Sequence, residues 1–179
     1  MSWYAISIDI GVKNCGICVF DFITGKVVLW KNVPMCPGKY NPSNNMQYVE
    51  EFVNKHAEYF HSAAKVLIEK QMRCNMRIIE AILHTMFRDR TVIINPKHVK
   101  SHYGLSTDSY RNNKKRAVSW ATNFVNNNAT VFDEGALTQF KTPSKQDDMA
   151  DALVMLMYYL DSYSNQISPH TFSFNATAI

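Results

Sequence analysis

The chain has 179 residues, of which 46% are apolar, and a formal net charge of +4, so we expect one domain with its own core, or one domain and a tail. No basic region precedes an apolar run at the N-terminus, so we expect no signal peptide, and the longest apolar stretch, Ala152 to Leu160, is too short to span a bilayer. We therefore expect a soluble intracellular protein, and its four cysteines fit a reducing compartment.

The first predicted strand runs from Trp3 to Ile10, where large apolar residues alternate with small or acidic ones. Asp9 lies near the end of this strand, on the face with the small side chains. Gly11 allows the backbone to turn sharply directly after it. A carboxylate in this position is exposed and rigidly held, which suits a hard cation such as Mg²⁺.

Two more strands are predicted at Cys15–Phe22 and Lys26–Val33, joined by a turn at Thr24-Gly25. The short connections favour an antiparallel meander with the first strand. Cys15 and Cys18 have the spacing of a redox or zinc motif, but residues three apart on a strand face opposite sides of the sheet. We therefore interpret both cysteines as structural.

The rest of the chain alternates helical and strand patterns. The predicted helices are Met46–Phe60, Asn75–Arg88, Lys114–Asn126 and Gln146–Tyr163, and the predicted strands are Lys65–Glu69 and Thr91–Ile94. A polar, basic loop is predicted from Asn95 to Asn113. This order, βββ-α-β-α-β-α-α, predicts an α/β fold with a five-stranded mixed sheet, three antiparallel strands and then two parallel ones, flanked by helices. We assign residues 1–165 to this domain and 166–179 to a C-terminal tail.

Four acids are predicted to meet at one edge of this sheet. Glu69 ends the fourth strand, and if that strand lies parallel to the first, its carboxylate emerges beside Asp9. Asp148 and Asp151 are three apart on a helix and share a face. Four clustered carboxylates repel one another unless a cation is present. Two Mg²⁺ ions would balance the charge and, about 3.5–4 Å apart, would clamp the oxygens of a phosphoryl displacement.

The stretch from Lys97 to Arg116 holds six lysine or arginine residues, with Asp108 as its only acid. Such a stretch beside an acidic site favours a polyanionic partner, although a solvated loop is the alternative. Two adjacent lysines, Lys114 and Lys115, begin the helix that follows. A helix N-terminus suits a phosphate, and a lysine there would neutralise charge on the transition state.

Four blocks of the sequence resemble the Holliday junction resolvases of poxviruses and related large DNA viruses, which are relatives of RuvC in the ribonuclease H-like superfamily. The blocks are Asp9-Ile-Gly-x-Lys-Asn, Ile68-Glu69-Lys70-Gln71, Tyr110-Arg-x-x-Lys114-Lys115-Arg-x-Val118 and Asp147-Asp148-x-x-Asp151-Ala. They come in the order of the family and span the chain from Ser7 to about Leu160.

The resemblance implies a ribonuclease H-like fold and a homodimer that nicks four-way DNA junctions symmetrically, in viral DNA recombination and concatemer resolution. It implies two Mg²⁺ or Mn²⁺ ions per site, bound by catalytic acids at Asp9, Glu69, Asp148 and Asp151. It further implies a catalytic lysine at Lys115, with Lys114 as the competing choice. A poxvirus-like virus would place this activity in the host cytoplasm.

Several residues are candidates for contacts with the DNA backbone, which position DNA without recognising its sequence. These candidates are Lys13, Gln71, Arg73, Lys97, Lys100, Arg111, Lys114 and Arg116. Tyr103, Tyr110 and Trp120 are candidates for stacking on an unpaired base, and Trp120 also fits a core position. The helix Asn75–Arg88 is the candidate dimer interface, because its apolar arc is wide, and burial on both sides within one chain is the alternative.

Other functions share some of these features. An actin-like ATPase also begins with the pattern Asp9-x-Gly11-x₄-Gly16, but it usually needs a second lobe, for which the chain is too short. A non-catalytic module could bind branched DNA by charge alone. A ribonuclease H or a proofreading exonuclease has the same predicted fold, and the exonucleases commonly place Asp-x-Glu on the first strand, where this chain has Asp-x-Gly.

Overall fold

A computed structural model describes residues 3–140 and 146–167, with side chains as far as residue 162. Its five strands form one sheet in the order β3-β2-β1-β4-β5. The strands are β1 Tyr4–Asp9, β2 Cys15–Asp21, β3 Lys26–Val33, β4 Ala63–Glu69 and β5 Thr91–Ile94. The first three pair antiparallel, whereas β4 lies parallel to both β1 and β5. The predicted mixed sheet is confirmed.

Helices cover both faces of the sheet. They are α1 Asn45–Lys55, α2 Ala57–His61, α3 Cys74–Met86, α4 Pro96–His102, α5 Tyr110–Asn127, α6 Glu134–Phe140 and α7 Gln146–Ile167. No helix within residues 3–140 and 146–167 combines the length and the hydropathy that crossing a bilayer requires. Residues 168–179 of the predicted tail lie outside the described residues.

The helix predictions were wrong in four places. The predicted helix Met46–Phe60 is two helices, because the chain leaves helical geometry at His56. The predicted loop after Asn95 contains α4, which begins as capped helices do: Pro96 occupies the first turn and the Asn95 side chain accepts a hydrogen bond from the Lys97 N–H (3.0 Å). Helix α6 was not predicted, and α5 begins four residues earlier than its periodicity indicates.

The two faces of the sheet bury separate apolar clusters. Ala5 and Cys18 face α5, α6 and α7, whereas Ile6, Ile8 and Cys15 face α1 and α3. The two cysteines therefore point to opposite sides, as predicted from strand geometry. Burial of these apolar side chains supplies the main driving force for packing the helices on the sheet.

Helix α7 is held against the sheet by polar contacts as well as by its apolar stripe. The buried Ser7 hydroxyl donates to the carbonyl of Ala152 (2.8 Å), and the Trp30 indole N–H donates to the carbonyl of Met149 (2.8 Å). A Cβ added at Gly16 would lie 2.1 Å from the carbonyl oxygen of Asp148. Only glycine therefore lets the start of α7 approach β2 this closely.

Candidate active site

The four acids singled out in the sequence line one cavity of about 710 Å³. Asp9 ends β1 and Glu69 ends β4, and the parallel register that pairs Ile8 with Ile68 brings these two strand ends side by side. Asp148 and Asp151 enter from the first turns of α7. The topology thus gathers residues from three parts of the chain at the carboxyl edge of the sheet, where open α/β sheets bind their ligands.

The acids repel one another. Burial raises the pKa of Asp9 well above its usual range, and the charges of Glu69, Asp151 and Asp148 raise it further. Burial likewise raises the pKa of Asp151 to about 6, with Lys100 and Lys114 lowering it and Glu69 and Asp148 raising it. Burial beside like charges therefore makes ionisation of these two acids unfavourable.

Two of the lysines that line the cavity form ion pairs with aspartates of α7. The Lys100 ammonium lies 3.9 Å from Oδ1 of Asp151. Lys114 donates a hydrogen bond to Asp147, and its Nζ lies 3.8 Å from Oδ1 of Asp148. Burial alone would lower the pKa of Lys114, but the hydrogen bond and charge of Asp147, followed by the charge of Asp148, raise it. Lys114 therefore stays protonated at any physiological pH.

Asp147 differs from its neighbour in the chain. It is not among the described residues that line the cavity, whereas Asp148 and Asp151 are. Burial would raise the pKa of Asp147, but its hydrogen bond to Lys114 and the lysine charge lower it below the usual range. Asp147 is thus the ion-pair partner of Lys114, beside the cluster of four acids.

The donor chemistry of the cavity fits a divalent metal. Carboxylates supply only oxygen ligands, which Mg²⁺ and Mn²⁺ prefer. Within the described ranges, however, no three His, Cys, Asp or Glu side chains are arranged so that together they could hold an ion. Because burial, and then repulsion within the cluster, raises the pKa of Asp9 and Asp151, a divalent cation would favour the ionised form of these acids.

The predicted DNA-contacting residues divide into two groups. Those that line the cavity are Lys13, Gln71, Arg73, Lys100 and Lys114. Within the described chain, Lys97, Arg111 and Arg116 do not line it, and neither does Lys115, the residue predicted to be the catalytic lysine. Besides Lys100 and Lys114, three of the candidates also bind the protein itself: Lys13 donates to the carbonyls of Cys36 (3.4 Å) and Gly38, Gln71 donates to Glu69, and Arg116 donates to the carbonyl of Gly104 (3.3 Å).

The aromatic candidates occupy different environments. Tyr110, at the start of α5, is exposed, lines the cavity and lies with its ring centroid 5.4 Å from the Lys114 Nζ. Trp120 is buried in the core, and its ring lies 4.7 Å from that of Tyr103. Sequence reasoning missed Asn32 of β3, which donates to Asp148 (3.1 Å), and no local pattern marks such a contact.

The chain is similar to known proteins in sequence family and in fold. A family model described as Poxvirus A22 protein matches residues 4–162. No curated protein matches the sequence. The Holliday junction resolvase of fowlpox virus has a similar structure, with a TM-score of 0.62 and 20% identity over 89% of this chain and 98% of that chain.

Two further solved structures share the fold. The complex of the fowlpox virus resolvase with Holliday junction DNA gives a TM-score of 0.65 at 17% identity, over 89% of this chain and 97% of that one. The structure of Thermus thermophilus RuvC gives a TM-score of 0.53 at 12% identity, over 89% of this chain and 96% of that one. The predicted ribonuclease H-like fold of the RuvC type is thereby confirmed.

Proposed function

The chain belongs to the Poxvirus A22 protein family, and from this membership and its site we propose that it is a Holliday junction resolvase, an endonuclease that cuts four-way DNA junctions. The observation that carries the proposal is the meeting of four acids in one cavity at the carboxyl ends of β1 and β4. Hydrolysis of one phosphodiester bond on each of two strands would separate the junction into two nicked duplexes. The host cytoplasm, where a poxvirus-like virus replicates its DNA, is the proposed place of action.

Asp9, Glu69, Asp148 and Asp151 are the residues that we assign to metal binding, with two Mg²⁺ or Mn²⁺ ions per site. The oxygen-only donor set and the mutual repulsion of the acids support this assignment. Bound metal lowers the pKa of water and stabilises charge on a phosphoryl group during in-line displacement. The acids would hold the cations, Asp9 and Glu69 from the ends of two strands and Asp148 and Asp151 from the first turns of α7.

We assign the catalytic lysine to Lys114 in preference to Lys115. The contacts of Lys114 with Asp147 and Asp148 and its position in the cavity support this choice. Adjacent helix residues point in different directions, so only one of the two lysines can face the acids. A protonated Lys114 would neutralise the charge that develops on the scissile phosphate.

Basic side chains around the cavity suit the DNA backbone. Arg73 lies beside the acids, Lys97 and Lys100 lie on α4, and Arg111 lies in the first turn of α5. Such cations bind phosphates irrespective of base sequence, which is what selection by DNA shape requires. Their spread over three segments would hold two arms of a branched substrate.

A homodimer through α3 would give the paired cuts that resolution requires. Helix α3 buries only Ile79 and Leu83 within the described chain, so the alternative of burial on both sides was wrong. Ile78 and Met86 are exposed and line an open apolar groove of about 610 Å³. Met72 lines both this groove and the acidic cavity, so the proposed interface adjoins the site.

The test is incubation with a synthetic four-way junction, a linear duplex and an RNA–DNA hybrid, with Mg²⁺ and with chelator. We expect paired, ligatable nicks in the junction alone, and none with chelator. Asp9→Asn and Asp148→Asn should lower the cleavage rate by about a thousand-fold, because each removes several kcal/mol of charge stabilisation, while junction binding persists. Asp133→Asn, which breaks an exposed ion pair with Lys26, is the control.

The competing functions predict different results. Cleavage of the hybrid alone would make the protein a ribonuclease H. Junction binding without cleavage, unaffected by either acid-to-amide change, would make it a non-catalytic module.

A further inference from the structure

Two amide side chains hold the carboxylates of the acid cluster. The Asn32 amide Nδ2 donates to Oδ2 of Asp148 (3.1 Å). The Gln71 amide Nε2 donates to Oε2 of Glu69 (3.1 Å) and to the carbonyl of Glu69 (3.2 Å). An ionised carboxylate only accepts hydrogen bonds, so each amide must turn its NH₂ group toward the acid. Both amides are half-buried.

Asn32 belongs to a rigid contact between β3 and α7. Trp30 and Asn32 are two apart on β3 and share a face. Trp30 donates to the carbonyl of Met149, and Asn32 donates to the side chain of Asp148. Oδ1 of Asp148 faces Lys114 in the cavity. One oxygen of this acid is thus held by the protein, and the other is turned toward the site.

Gln71 is fixed at both of its ends. Its backbone N–H donates to Oε2 of Glu80 on α3 (2.6 Å). The preceding N–H, that of Lys70, donates to the carbonyl of Ile94 at the end of β5 (2.8 Å). The side chain then turns back onto Glu69, which limits the rotation of that carboxylate. A residue held in this way is poorly placed to follow a DNA backbone.

We infer that Asn32 and Gln71 are positioning residues. Asn32 fixes one carboxylate oxygen of Asp148 and Gln71 fixes one of Glu69, so that the other oxygen of each acid is presented to divalent metal. The inference rests on the proposed function. Four acids that repel one another would otherwise rotate apart, and a hydrogen bond to the ionised form opposes this. Loss of such a supporting hydrogen bond to a metal ligand typically weakens metal affinity 10–100-fold.

Three variants that replace an amide by an apolar side chain of similar branching or length test the inference: Asn32→Leu, Gln71→Met and the control Gln47→Met. Gln47 donates to Glu51 on the exposed face of α1 (2.8 Å), an amide–carboxylate bond of the same kind outside the cavity. Mn²⁺ affinity is measured by calorimetry without DNA. Junction cleavage is measured over a range of Mn²⁺ concentrations, and junction binding in chelator.

We expect Asn32→Leu and Gln71→Met to bind Mn²⁺ about 10–100-fold more weakly than the wild-type protein. Their cleavage of junctions should be slow at low Mn²⁺ concentration and return to the wild-type rate at high concentration. Junction binding by these two variants, and all properties of the control Gln47→Met, should be unchanged. Gln71→Met carries the test if Asn32→Leu does not fold, because Gln71 lies outside the regular elements. Wild-type affinity in the variants, or equal weakening in the control, would overturn the inference. Failure of the wild-type protein both to bind Mn²⁺ and to cut junctions would overturn the proposed function as well.

Discussion

At the scale of residues, ionisation of the acids in the site costs free energy in the folded protein. Asp9 and Asp151 are half-buried beside like charges, and both have a raised pKa. Lys100 and Lys114 compensate only part of this charge. An arrangement that destabilises the metal-free protein is expected where the acids serve binding and catalysis.

The free energy of unfolding of the metal-free protein should depend on pH because of Asp151. Burial raises the pKa of Asp151 in the folded protein to about 6. Between about pH 4 and 6 the folded protein therefore holds a proton at Asp151, whereas the unfolded chain has already released it. The free energy of unfolding therefore falls as the pH rises through this window. Asp151→Asn should flatten this dependence and stabilise the protein by about 1–3 kcal/mol at pH 8, measured by urea unfolding in chelator. An unchanged pH dependence would contradict the prediction.

The two adjacent lysines should differ in their effect on catalysis. Lys114→Met should lower kcat about 100-fold, because it removes a cation from the reacting phosphate, and should change junction affinity little. Lys115→Met removes an exposed charge and should lower kcat less than about fivefold. Single-turnover cleavage and binding in chelator separate the two effects. The reverse order would restore Lys115 as the catalytic lysine.

At the scale of elements, the approach of α7 to β2 decides where Asp148 lies. This approach depends on Gly16, which leaves room for the α7 backbone. Neither the strand pattern of β2 nor the helical pattern of α7 indicates the contact, since the two residues are far apart in the chain. Glycine within a strand is the one local sign of a close backbone approach.

Gly16→Ala should therefore displace α7. The added Cβ would meet the Asp148 carbonyl at 2.1 Å, so we expect a loss of about 1–3 kcal/mol in the free energy of unfolding and a lower cleavage rate. Gly135→Ala is the control, because a Cβ there has nothing within 4 Å and alanine favours the helix α6 by up to about 1 kcal/mol. If the two variants had equal free energies of unfolding, α7 would be able to move away from β2 without loss of stability, which would contradict the prediction.

At the scale of the whole molecule, α3 has an apolar face that is not buried within the described chain. Ile78 is 43% exposed and Met86 is 37% exposed. An exposed apolar groove of this kind marks an interaction surface. A two-fold dimer would use the same patch on both copies and hold two cavities at a fixed separation.

The double variant Ile78→Lys/Met86→Lys should dissociate the dimer, because it buries two like charges in an apolar contact. We expect a monomer by sedimentation velocity, with the thermal stability of the domain retained and nicks that are no longer paired. Ile23→Lys, at an exposed isoleucine between β2 and β3 (67% exposed), is the control. A wild-type protein that is monomeric at all concentrations would contradict the proposed interface.

Local patterns in the sequence were enough for the sheet and for the candidate acids. Strand alternation around Ile6 and Ile8, and the order of the elements, predict a mixed sheet, and a parallel β1–β4 pair brings Asp9 beside Glu69. These features follow from side-chain periods of 2 and 3.6 residues, which are local properties of the chain. The family blocks carry the same information, because they contain these strand ends.

Only the tertiary structure decided which side chains surround the acids. It turned Lys114 rather than Lys115 into the cavity, joined Asn32 to Asp148 across 116 residues of chain, and carried Lys100 to Asp151 on a helix predicted as loop. Each contact depends on the rotation and docking of a whole element. Packing of the apolar faces sets both, and periodicity alone does not specify them.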